Sequence, residues 1–319
     1  MKRRDKIVIG TRGSMLALWQ AEFVQRELMK TNPGVTIVLE KIKTTGDMIL
    51  DVPLAKVGGK GLFVKEIEEA MLRKEIDIAV HSMKDVPTAL PESLHLACMT
   101  KREDPRDAFL SRDSASFMAL PKGASVGTSS LRRQCQLLAA RPDIKIEQLR
   151  GNLDTRIRKM EEGVYDAVIL AAAGIKRMGW ADRIKEYIDP EVSLPAIGQG
   201  AIGIECRRDD LFMNDALSAL QHQETWDCVV AERSFLRRLE GGCQVPIAAH
   251  ARVIKDGGQN ILRLAGLVGS VTGDRIIKDH ILVPVKDGEE AGRRLAETLL
   301  SRGAGEILKE VYGKEITGY

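Results

Sequence analysis

The sequence predicts an α/β fold of two lobes, followed by a smaller α+β domain. With 319 residues the chain is too long for one hydrophobic core, so two or three domains are expected. Through most of the chain, short β-branched runs alternate with segments of helical periodicity, which is typical of an α/β lobe with a mostly parallel sheet. Near the C-terminus three strand-like runs follow one another directly, and this pattern predicts an antiparallel meander.

The first lobe begins with a buried strand and a capped helix. After the strand, Leu16, Trp19 and Phe23 recur at helical spacing. The hydroxyl of Ser14 can cap the helix that carries them. The expected elements are a strand at 6–10, a helix after Ser14, a strand at 35–42, a helix at 63–74 and a strand at 76–80.

A second α/β set follows the charged, proline-containing segment 101–106, which is predicted to be a hinge. Its expected elements are a strand end at 126–128, a helix at 130–140, a strand at 145–149, a helix at 153–162 and a strand at 167–171. The chain then returns through the turn-rich segment 194–200 into a strand at 201–205. Because it crosses between the lobes twice, we expect a cleft that closes by a hinge motion.

The C-terminal domain is expected to begin with a helix at 225–239 that ends at Gly241 and Gly242. Strands at 247–254, 261–268 and 275–284 and a final helix from Glu289 complete it. We therefore assign residues 1–100 and 201–219 to the first lobe, 101–200 to the second lobe and 220–319 to the α+β domain.

Composition argues against several classes of protein. The formal net charge is only +3 and aromatic residues make up 4% of the chain, which disfavours general nucleic-acid or membrane-surface binding. The five cysteines include no C-x-x-C pair, which fits a reducing compartment, and the five histidines show no metal-ligand spacing. No signal peptide or transmembrane segment is visible. We expect a cytoplasmic, monomeric protein without a metal site.

The densest chemical signal is a group of cations between Gly127 and Lys159. This stretch holds six arginines and two lysines against three acids. Arginine presents a planar fork of donors that fits carboxylate or phosphate, and it cannot lose its charge. Because so many like charges are unfavourable without anions between them, the segment predicts a ligand that carries several negative groups.

The start of this stretch is a candidate anion site. The segment Gly127-Thr-Ser-Ser130 leads into a helix, so hydroxyl groups and backbone N–H groups are available together. An ordinary helix cap is the alternative interpretation. Arg132 and Arg133 in the next turn favour the anion site.

The later arginines have two interpretations. Arg156, Arg158 and Lys159 also fit a solvated helix face. Arg150 fits that interpretation less well, because it ends an apolar strand beside Gly151 and would point at the mouth of the cleft.

An acidic residue, Asp85, follows the predicted strand at 76–80, at the sheet edge where open α/β sheets bind ligands. Two residues before Pro87, it could be an ordinary turn residue. As the only acid in a cationic cleft it would stay ionised, bind an N–H group and stabilise a developing positive charge. Both interpretations remain open.

Cys243 lies on a flexible turn, in the segment Leu239-Glu-Gly-Gly-Cys-Gln-Val-Pro246. Most lone cysteines are small buried residues. A thiol between glycines, however, has room for a bulky adduct and can attack a strong electrophile. Cys98 and Cys206 lie in apolar strand-like runs and are expected in the core.

Two glycine-rich segments resemble nucleotide-binding motifs without matching them. Gly198-Gln-Gly-Ala-Ile-Gly203 fits G-x-G-x-x-G, but a strand is expected after it where the motif needs a helix, so we reject a dinucleotide site. The segment Gly59-Lys-Gly61 lacks the hydroxyl residue and the first glycine of a P-loop. An anion-facing Lys60 on a mobile loop is the better interpretation.

Several separated motifs together resemble the porphobilinogen deaminase (hydroxymethylbilane synthase) family. They are TRGS at 11–14, VGGKGLF at 57–63, HSMKDVP at 81–87, GTSSLRR at 127–133, LRGNLDTR at 149–156, AGIKR at 173–177 and GGCQVP at 241–246. No family-specific motif is evident after Pro246.

The resemblance implies an enzyme that joins four porphobilinogen molecules head to tail, releasing ammonia, to give hydroxymethylbilane in tetrapyrrole (haem) biosynthesis. It implies a dipyrromethane cofactor attached to Cys243 by a thioether. It assigns Asp85 to the pyrrole nitrogens, where it would stabilise the cation left as ammonia departs. The cofactor's acetate and propionate groups would be bound by Lys84, Ser130, Arg132 and Arg133. The substrate and the growing chain would be contacted by Arg12, Ser14, Lys60, Phe63, Arg150, Arg156, Arg177 and Gln199.

Two other functions remain open. The two lobes with a hinged cleft are periplasmic-binding-protein-like, and a solute receptor of that type would bind reversibly and would not need Cys243. An RNA-binding protein that uses the 150–159 face would show a steep salt dependence. On the main interpretation each porphobilinogen brings two carboxylates to the arginines. Arginines without such partners would hold the empty cleft open by repulsion.

Overall fold

The computed structural model describes residues 4–48, 61–240 and 245–313. The chain forms two compact units: Met1–Glu103 with Ala201–Trp226, and Asp104–Gly200 with Asp227–Tyr319. Each unit contains a five-stranded sheet with helices between its strands, and the second unit also contains a three-stranded sheet with helices. The predicted α/β class with a smaller α+β part is therefore confirmed. The three-domain boundaries and the hinge motion stay predictions.

The first unit is built on one five-stranded sheet. Its strands are β1 (Lys6–Thr11), β2 (Thr36–Lys41), β3 (Ile78–Ser82), β4 (Leu94–Met99) and, from the returning chain, β10 (Ile202–Arg207), in the order β2-β1-β3-β10-β4. Its helices include α1 (Met15–Thr31), α2 (Thr45–Met48), α3 (Lys65–Leu72) and α7 (Leu211–Ser218). None of the helices described in either unit is long and apolar enough to cross a membrane.

Local signals explain why α1 forms where it was predicted. The Ser14 hydroxyl accepts a hydrogen bond from the backbone N–H of Ala17 at 3.3 Å, so Ser14 is the N-cap. Val24 and Leu28, four residues apart, are fully buried with the side chains of the sheet. Each such burial contributes about 1.5–3 kcal/mol, so packing against the sheet stabilises the helix more than its intrinsic propensity does.

The α/β part of the second unit repeats this plan. Its strands are β5 (Asp107–Ser111), β6 (Ser125–Gly127), β7 (Lys145–Glu147), β8 (Ala167–Ala171) and β9 (Glu186–Tyr187), in the order β7-β6-β8-β5-β9. Its helices include α4 (Leu131–Ala140), α5 (Leu153–Glu161) and α6 (Ala172–Arg177). Ser130 is the N-cap of α4, because its hydroxyl accepts from the backbone N–H of Arg133 at 3.4 Å.

The prediction of mostly parallel sheets is wrong. In the first unit β1 is parallel to β2 and β3, but β10 is antiparallel to β3 and β4. In the second unit β6 is parallel to β7 and β8, but β5 is antiparallel to β8 and β9. An apolar run predicts a buried strand without indicating its direction, which depends on the path of the chain between strands.

The C-terminal part of the second unit is the predicted meander. Helix α8 (Gln223–Arg238) precedes the antiparallel strands β11 (Ile247–Asp256), β12 (Gln259–Gly269) and β13 (Ile276–Pro284), and α9 (Gly288–Leu299) and α10 (Gly305–Tyr312) follow. Phe235 of α8, Leu264 of β12 and Leu295 of α9 are buried in one apolar cluster. The meander and the final helical segment are thereby confirmed.

Helix α4 also packs against this meander. Cys135 of α4 shares a buried cluster with Ala248 of β11 and Leu267 of β12. At Gly273, where φ is +77°, an added Cβ would lie 2.5 Å from the carbonyl oxygen of Cys135, so the turn after β12 touches the helix backbone. The opposite face of α4 packs Leu137 against the α/β core. The helix is therefore held by both sheets of the second unit.

Replacing Gly292 tests a close contact between helices α9 and α8. A Cβ at Gly292 would lie 2.3 Å from the Ala231 carbonyl oxygen and 2.8 Å from the Phe235 nitrogen. Because both are backbone atoms, Gly292→Ala is expected to lower the free energy of unfolding by about 3 kcal/mol in urea titrations. The control is Gly305→Ala, whose Cβ would meet only the Leu300 side chain at 3.6 Å. Equal stability of the two variants would contradict the packing argument.

Candidate functional site

In the first unit, Asp85 lies on a short segment fixed by buried neighbours. Strand β3 passes directly into a 3-10 turn, Met83–Asp85. Met83 is 1% exposed, and an added Cβ at Gly203 of β10 would lie 2.1 Å from its sulfur, so the two strands enclose this side chain. The half-buried Asp85 carboxylate makes no hydrogen bond or ion pair within the described part of the chain. It can therefore accept hydrogen bonds from a ligand.

Arg12 and Phe63, both predicted to contact substrate, lie together. The Arg12 guanidinium stacks on the Phe63 ring, with 4.2 Å from its central carbon to the ring centroid. It also donates from Nε to Oδ1 of Asp47 at 3.2 Å, and Nη2 bonds the same oxygen. An added Cβ at Gly46 would lie 2.2 Å from the Phe63 ring, so glycine is needed for this packing.

Asp47 is a site residue that the sequence analysis missed. Its Oδ2 accepts from the backbone N–H of Thr44 at 3.3 Å and from the Thr44 hydroxyl at 2.8 Å. Burial raises the pKa of Asp47, but the bonds from Arg12 and Thr44 outweigh it and lower the pKa below its ordinary value. The signal that could have revealed it is Thr44-Thr-Gly-Asp47, a capping-box pattern at the start of the short helix α2.

Glu68 of α3 lies near two buried ionisable side chains, His81 and Glu205. The His81 Nε2 atom lies 3.0 Å from Oε2 of Glu205, and both side chains are buried, at 4% and 0% exposure. Oε1 of Glu205 and Oε1 of Glu68 on α3 have no hydrogen-bond partner among the residues described. Burial and the nearby Glu205 charge raise the pKa of Glu68 to about 7, although His81 lowers it. Glu68 is therefore expected to exchange its proton near neutral pH.

In the second unit, Arg132 and Arg133 of α4 share one buried carboxylate. Asp107, the first residue of β5, is 0% exposed. Its Oδ2 lies 2.8 Å from Nη1 of Arg132, and its Oδ1 lies 2.8 Å from Nη2 of Arg133. Burial raises the pKa of Asp107, but the two guanidinium groups hold it far below its ordinary range. Asp107 is therefore a permanent anion.

Asp107 and Asp47 correct the expectation that Asp85 is the only acid among these cations. That expectation is wrong because acids distant in sequence reach the arginines: Asp107 pairs with both arginines of α4, and Asp47 pairs with Arg12. Asp85 differs from both in having no cationic partner within the described residues. The structure thus separates acids that neutralise arginines from one that remains accessible.

The hydroxyl residues before α4 are partly engaged by the protein. Ser129 donates to the carbonyl oxygen of Leu149 at 2.8 Å and accepts from its N–H at 3.0 Å. The Thr128 hydroxyl accepts from the N–H of Ser130 at 3.3 Å. Ser130 accepts the capping bond and keeps its O–H as a donor.

The remaining predicted arginines also lie in the second unit. Arg150 comes three residues after the end of β7, so it does not end the strand as predicted, and burial lowers its pKa. Arg156 donates from Nε to the carbonyl oxygen of Gly151 at 2.7 Å. Arg177 donates from Nη2 to the carbonyl oxygen of Gly200 at 2.7 Å. Both side chains are thereby tied to backbone carbonyl groups of the second unit.

Gln199 lies inside the Asp107 network. It is 1% exposed, and its Nε2 donates to the Pro105 carbonyl oxygen at 2.6 Å and to Oδ1 of Asp107 at 3.0 Å. The structure therefore connects Gln199 with Arg132 and Arg133 through a shared carboxylate. Its direct contact with substrate stays a prediction.

Lys60 and Cys243 lie outside the described residues, so nothing is established about their surroundings. Cys98 and Cys206 are buried as predicted, and burial raises the pKa of each thiol to about 12. Within residues 4–48, 61–240 and 245–313, no group of His, Cys, Asp and Glu side chains has the arrangement of a metal site. The rejected G-x-G-x-x-G segment leads into strand β10, as expected.

Family models match nearly the whole chain. Residues 7–215 match "Porphobilinogen deaminase, dipyromethane cofactor binding domain", and residues 226–301 match "Porphobilinogen deaminase, C-terminal domain". A porphobilinogen deaminase of Pelobacter propionicus is 60% identical over 308 residues, which cover 97% of this chain and 98% of that protein. One of Geobacter sulfurreducens is 58% identical over 313 residues, which cover 98% of this chain and 97% of that protein.

Among solved structures, the periplasmic VFT2 domain of Bordetella pertussis BvgS is similar to this chain with a TM-score of 0.42 and 14% identity. The similarity covers 72% of this chain and 93% of that domain.

The raised pKa of Glu68 predicts a pH-dependent stability. The pKa is about 7 in the folded protein against an ordinary 4.5, so folding favours the protonated acid. Stability from this group is present below pH 4.5, falls as pH rises to about 7 and is then constant. Because Glu68 is only half-buried, the loss should be on the order of 1 kcal/mol.

Glu68→Gln should remove this loss, so that the variant gains stability relative to the unsubstituted protein between pH 5 and pH 8 in urea titrations. The exposed neighbour Glu69 provides the matched control, Glu69→Gln, which should leave the pH profile unchanged. Parallel profiles for Glu68→Gln and the unsubstituted protein would rule out this assignment.

Proposed function

We infer that the residues described above serve the reaction of the porphobilinogen deaminase family, to which this chain belongs. The chain is a transferase of tetrapyrrole biosynthesis that polymerises porphobilinogen into hydroxymethylbilane and uses a dipyrromethane cofactor. A reversible solute receptor and an RNA-binding protein are both disfavoured by this membership. The roles of individual residues are the proposal.

The observation that carries the proposal is the charge of the Arg132–Arg133 site. Two buried guanidinium groups face one carboxylate, that of Asp107. Nε of Arg132 is buried and has no hydrogen-bond partner among the described residues. A donor left unsatisfied in the interior is costly, and an anionic oxygen is the acceptor that matches it. The acetate and propionate groups of a pyrrole cofactor supply such oxygens.

Lys84 and Ser130 complete the proposed cofactor contacts. Lys84 is half-buried on the same 3-10 turn as Asp85, and Ser130 retains its hydroxyl proton as a donor. Both offer donors to carboxylate groups, as Arg132 and Arg133 do.

A thioether at Cys243 is compatible with the position of α4. Cys243 precedes Ala248 by five residues, and five residues of extended chain span at most about 17 Å. Ala248 shares a buried cluster with Cys135, which lies two residues beyond Arg133 on α4. We propose that a cofactor tethered at Cys243 reaches the arginines of the same unit. When bound, the cofactor supplies the pyrrole carbon from which the new chain grows.

Asp85 is the proposed catalytic residue. Its carboxylate is half-buried and makes no ion pair in the described part of the chain, so its charge is available to the substrate. It would accept hydrogen bonds from pyrrole N–H groups. Loss of ammonia leaves a positive charge spread over the pyrrole ring, and a fixed negative charge nearby stabilises the transition state that leads to it.

The remaining residues are proposed to bind the carboxylates and rings of the substrate and of the growing chain. Phe63 offers a ring face, and the guanidinium and ammonium groups offer charged donors. These residues are Arg12, Ser14, Lys60, Phe63, Arg150, Arg156, Arg177 and Gln199.

We propose a monomer located in the cytoplasm. The four cysteines that the structure describes are all buried, which suits a protein that does not rely on disulfides. Light scattering after size exclusion would test the monomeric state.

Asp85→Asn tests the catalytic assignment. The variant keeps the shape of the side chain and removes its charge, so kcat for porphobilinogen consumption should fall by about 10²–10³-fold. The cofactor adduct should remain visible by intact mass spectrometry. The control is Asp113→Asn, at a side chain that is 82% exposed, which should be fully active. Substantial turnover by Asp85→Asn would refute the assignment.

Cys243→Ser tests the attachment. After exposure to porphobilinogen, the variant should show only the mass that its sequence encodes, whereas Cys98→Ser, at a fully buried thiol, should still carry the adduct. An adduct on Cys243→Ser would move the attachment to another residue. A native protein that never gains mass would refute the covalent cofactor altogether.

A further inference from the structure

The Asp107 carboxylate accepts six hydrogen bonds from four described side chains. Arg132 donates from Nη1 to Oδ2 at 2.8 Å and from Nη2 to Oδ1 at 3.1 Å. Arg133 donates from Nε and Nη2 to Oδ1 at 3.0 and 2.8 Å. Ser193 donates to Oδ2 at 2.8 Å, and Gln199 donates to Oδ1 at 3.0 Å. These four side chains together hold the carboxylate in one orientation.

The outer donors of the two arginines are fixed as well. Nη1 of Arg132 donates to the Leu194 carbonyl oxygen at 2.7 Å, and Nη1 of Arg133 donates to the Ile169 carbonyl oxygen at 3.0 Å. Arg132 and Arg133 are only 4% and 6% exposed. Each guanidinium therefore has one position set by α4, by Asp107 and by a backbone carbonyl. A ligand meets donors that are already oriented.

The charges of Asp107, Arg132 and Arg133 do not cancel. Two guanidinium groups and one carboxylate leave one positive charge, and no other acid among the described residues pairs with Arg132 or Arg133. Nε of Arg132 is also the one buried donor of this group without a partner among the described residues. A single ligand carboxylate would supply both the negative charge and the hydrogen-bond acceptor that this group lacks.

We propose that Asp107 is a positioning residue for the cofactor: it orients Arg132 and Arg133 and lowers their combined charge to one, so that the pair binds one carboxylate. The proposal rests on the cofactor-binding role of the two arginines. Without Asp107, two guanidinium groups that shared one carboxylate would repel each other. They would separate and lose the common orientation that one carboxylate needs.

The test measures cofactor loading. Full-length protein without cofactor is incubated with porphobilinogen, and the gain in mass is followed by intact mass spectrometry and divided by the folded fraction from near-UV circular dichroism. Asp107→Asn should load cofactor at least about tenfold more slowly per folded molecule, because Arg132 and Arg133 would no longer be oriented to bind its carboxylate. Its extra positive charge should also make loading more sensitive to inhibition by inorganic phosphate.

The matched control is Asp143→Asn at the other end of α4. Asp143, three residues beyond the end of the helix, receives two hydrogen bonds from Arg141, at 2.7 Å each, so this variant also removes an arginine-paired acid. It should load at the native rate with native phosphate sensitivity. A purely structural role for Asp107 would lower stability but leave both readouts unchanged for the folded molecules, and that result would overturn the proposal.

Ser193→Ala keeps the proposal testable if Asp107→Asn does not fold. It removes the 2.8 Å bond to Oδ2 of Asp107 and leaves every charge in place. Loading should slow by a few fold, with unchanged phosphate sensitivity, whereas native loading would overturn the proposal. If the unsubstituted protein itself gains no mass, it is the proposed covalent cofactor that fails, and the two failures are thereby distinguished.

Discussion

The ion network around Asp107 is the interaction on which the second unit depends. A carboxylate and two guanidinium groups are removed from water there, which is unfavourable unless each charge meets oriented partners. The network joins β5, α4, β8 and the turn before Gly200 through named hydrogen bonds. A second buried acid, Glu232, extends it by accepting from the N–H groups of Gly198 and Ala251 at 2.7 and 2.8 Å. The meander and the arginine site are therefore held in one framework.

The acids of the proposed site differ in their surroundings, and this difference separates their roles. Asp47 and Asp107 are paired with arginines, so they are permanent anions that fix cations. Glu68 lies near another acid and titrates near neutral pH. The Asp85 carboxylate makes no hydrogen bond or ion pair with any described residue. A carboxylate in that state is suited to stabilise positive charge on a substrate, as proposed.

Local structure and chemistry could be predicted because their signals lie within a few residues of each other. Ser14 caps the helix that it was expected to cap, and Ser130 makes the N-cap bond that was the alternative interpretation of its segment. The strand at 167–171 and the meander were found from runs of β-branched and apolar residues. Arg150 was placed at the end of a strand that stops earlier, because a short apolar run does not define its own last residue.

The sequence by itself determined the residue types of the site, the helix caps and the family motifs around Asp85, Arg132 and Arg133. Only the tertiary structure decided which acids meet which cations. Asp107 and Arg132 are 25 residues apart, and His81 and Glu205 are 124 apart. Such pairs form because strands from separate parts of the chain become neighbours, and the strand directions that allow this are not encoded in the periodicity of any one strand.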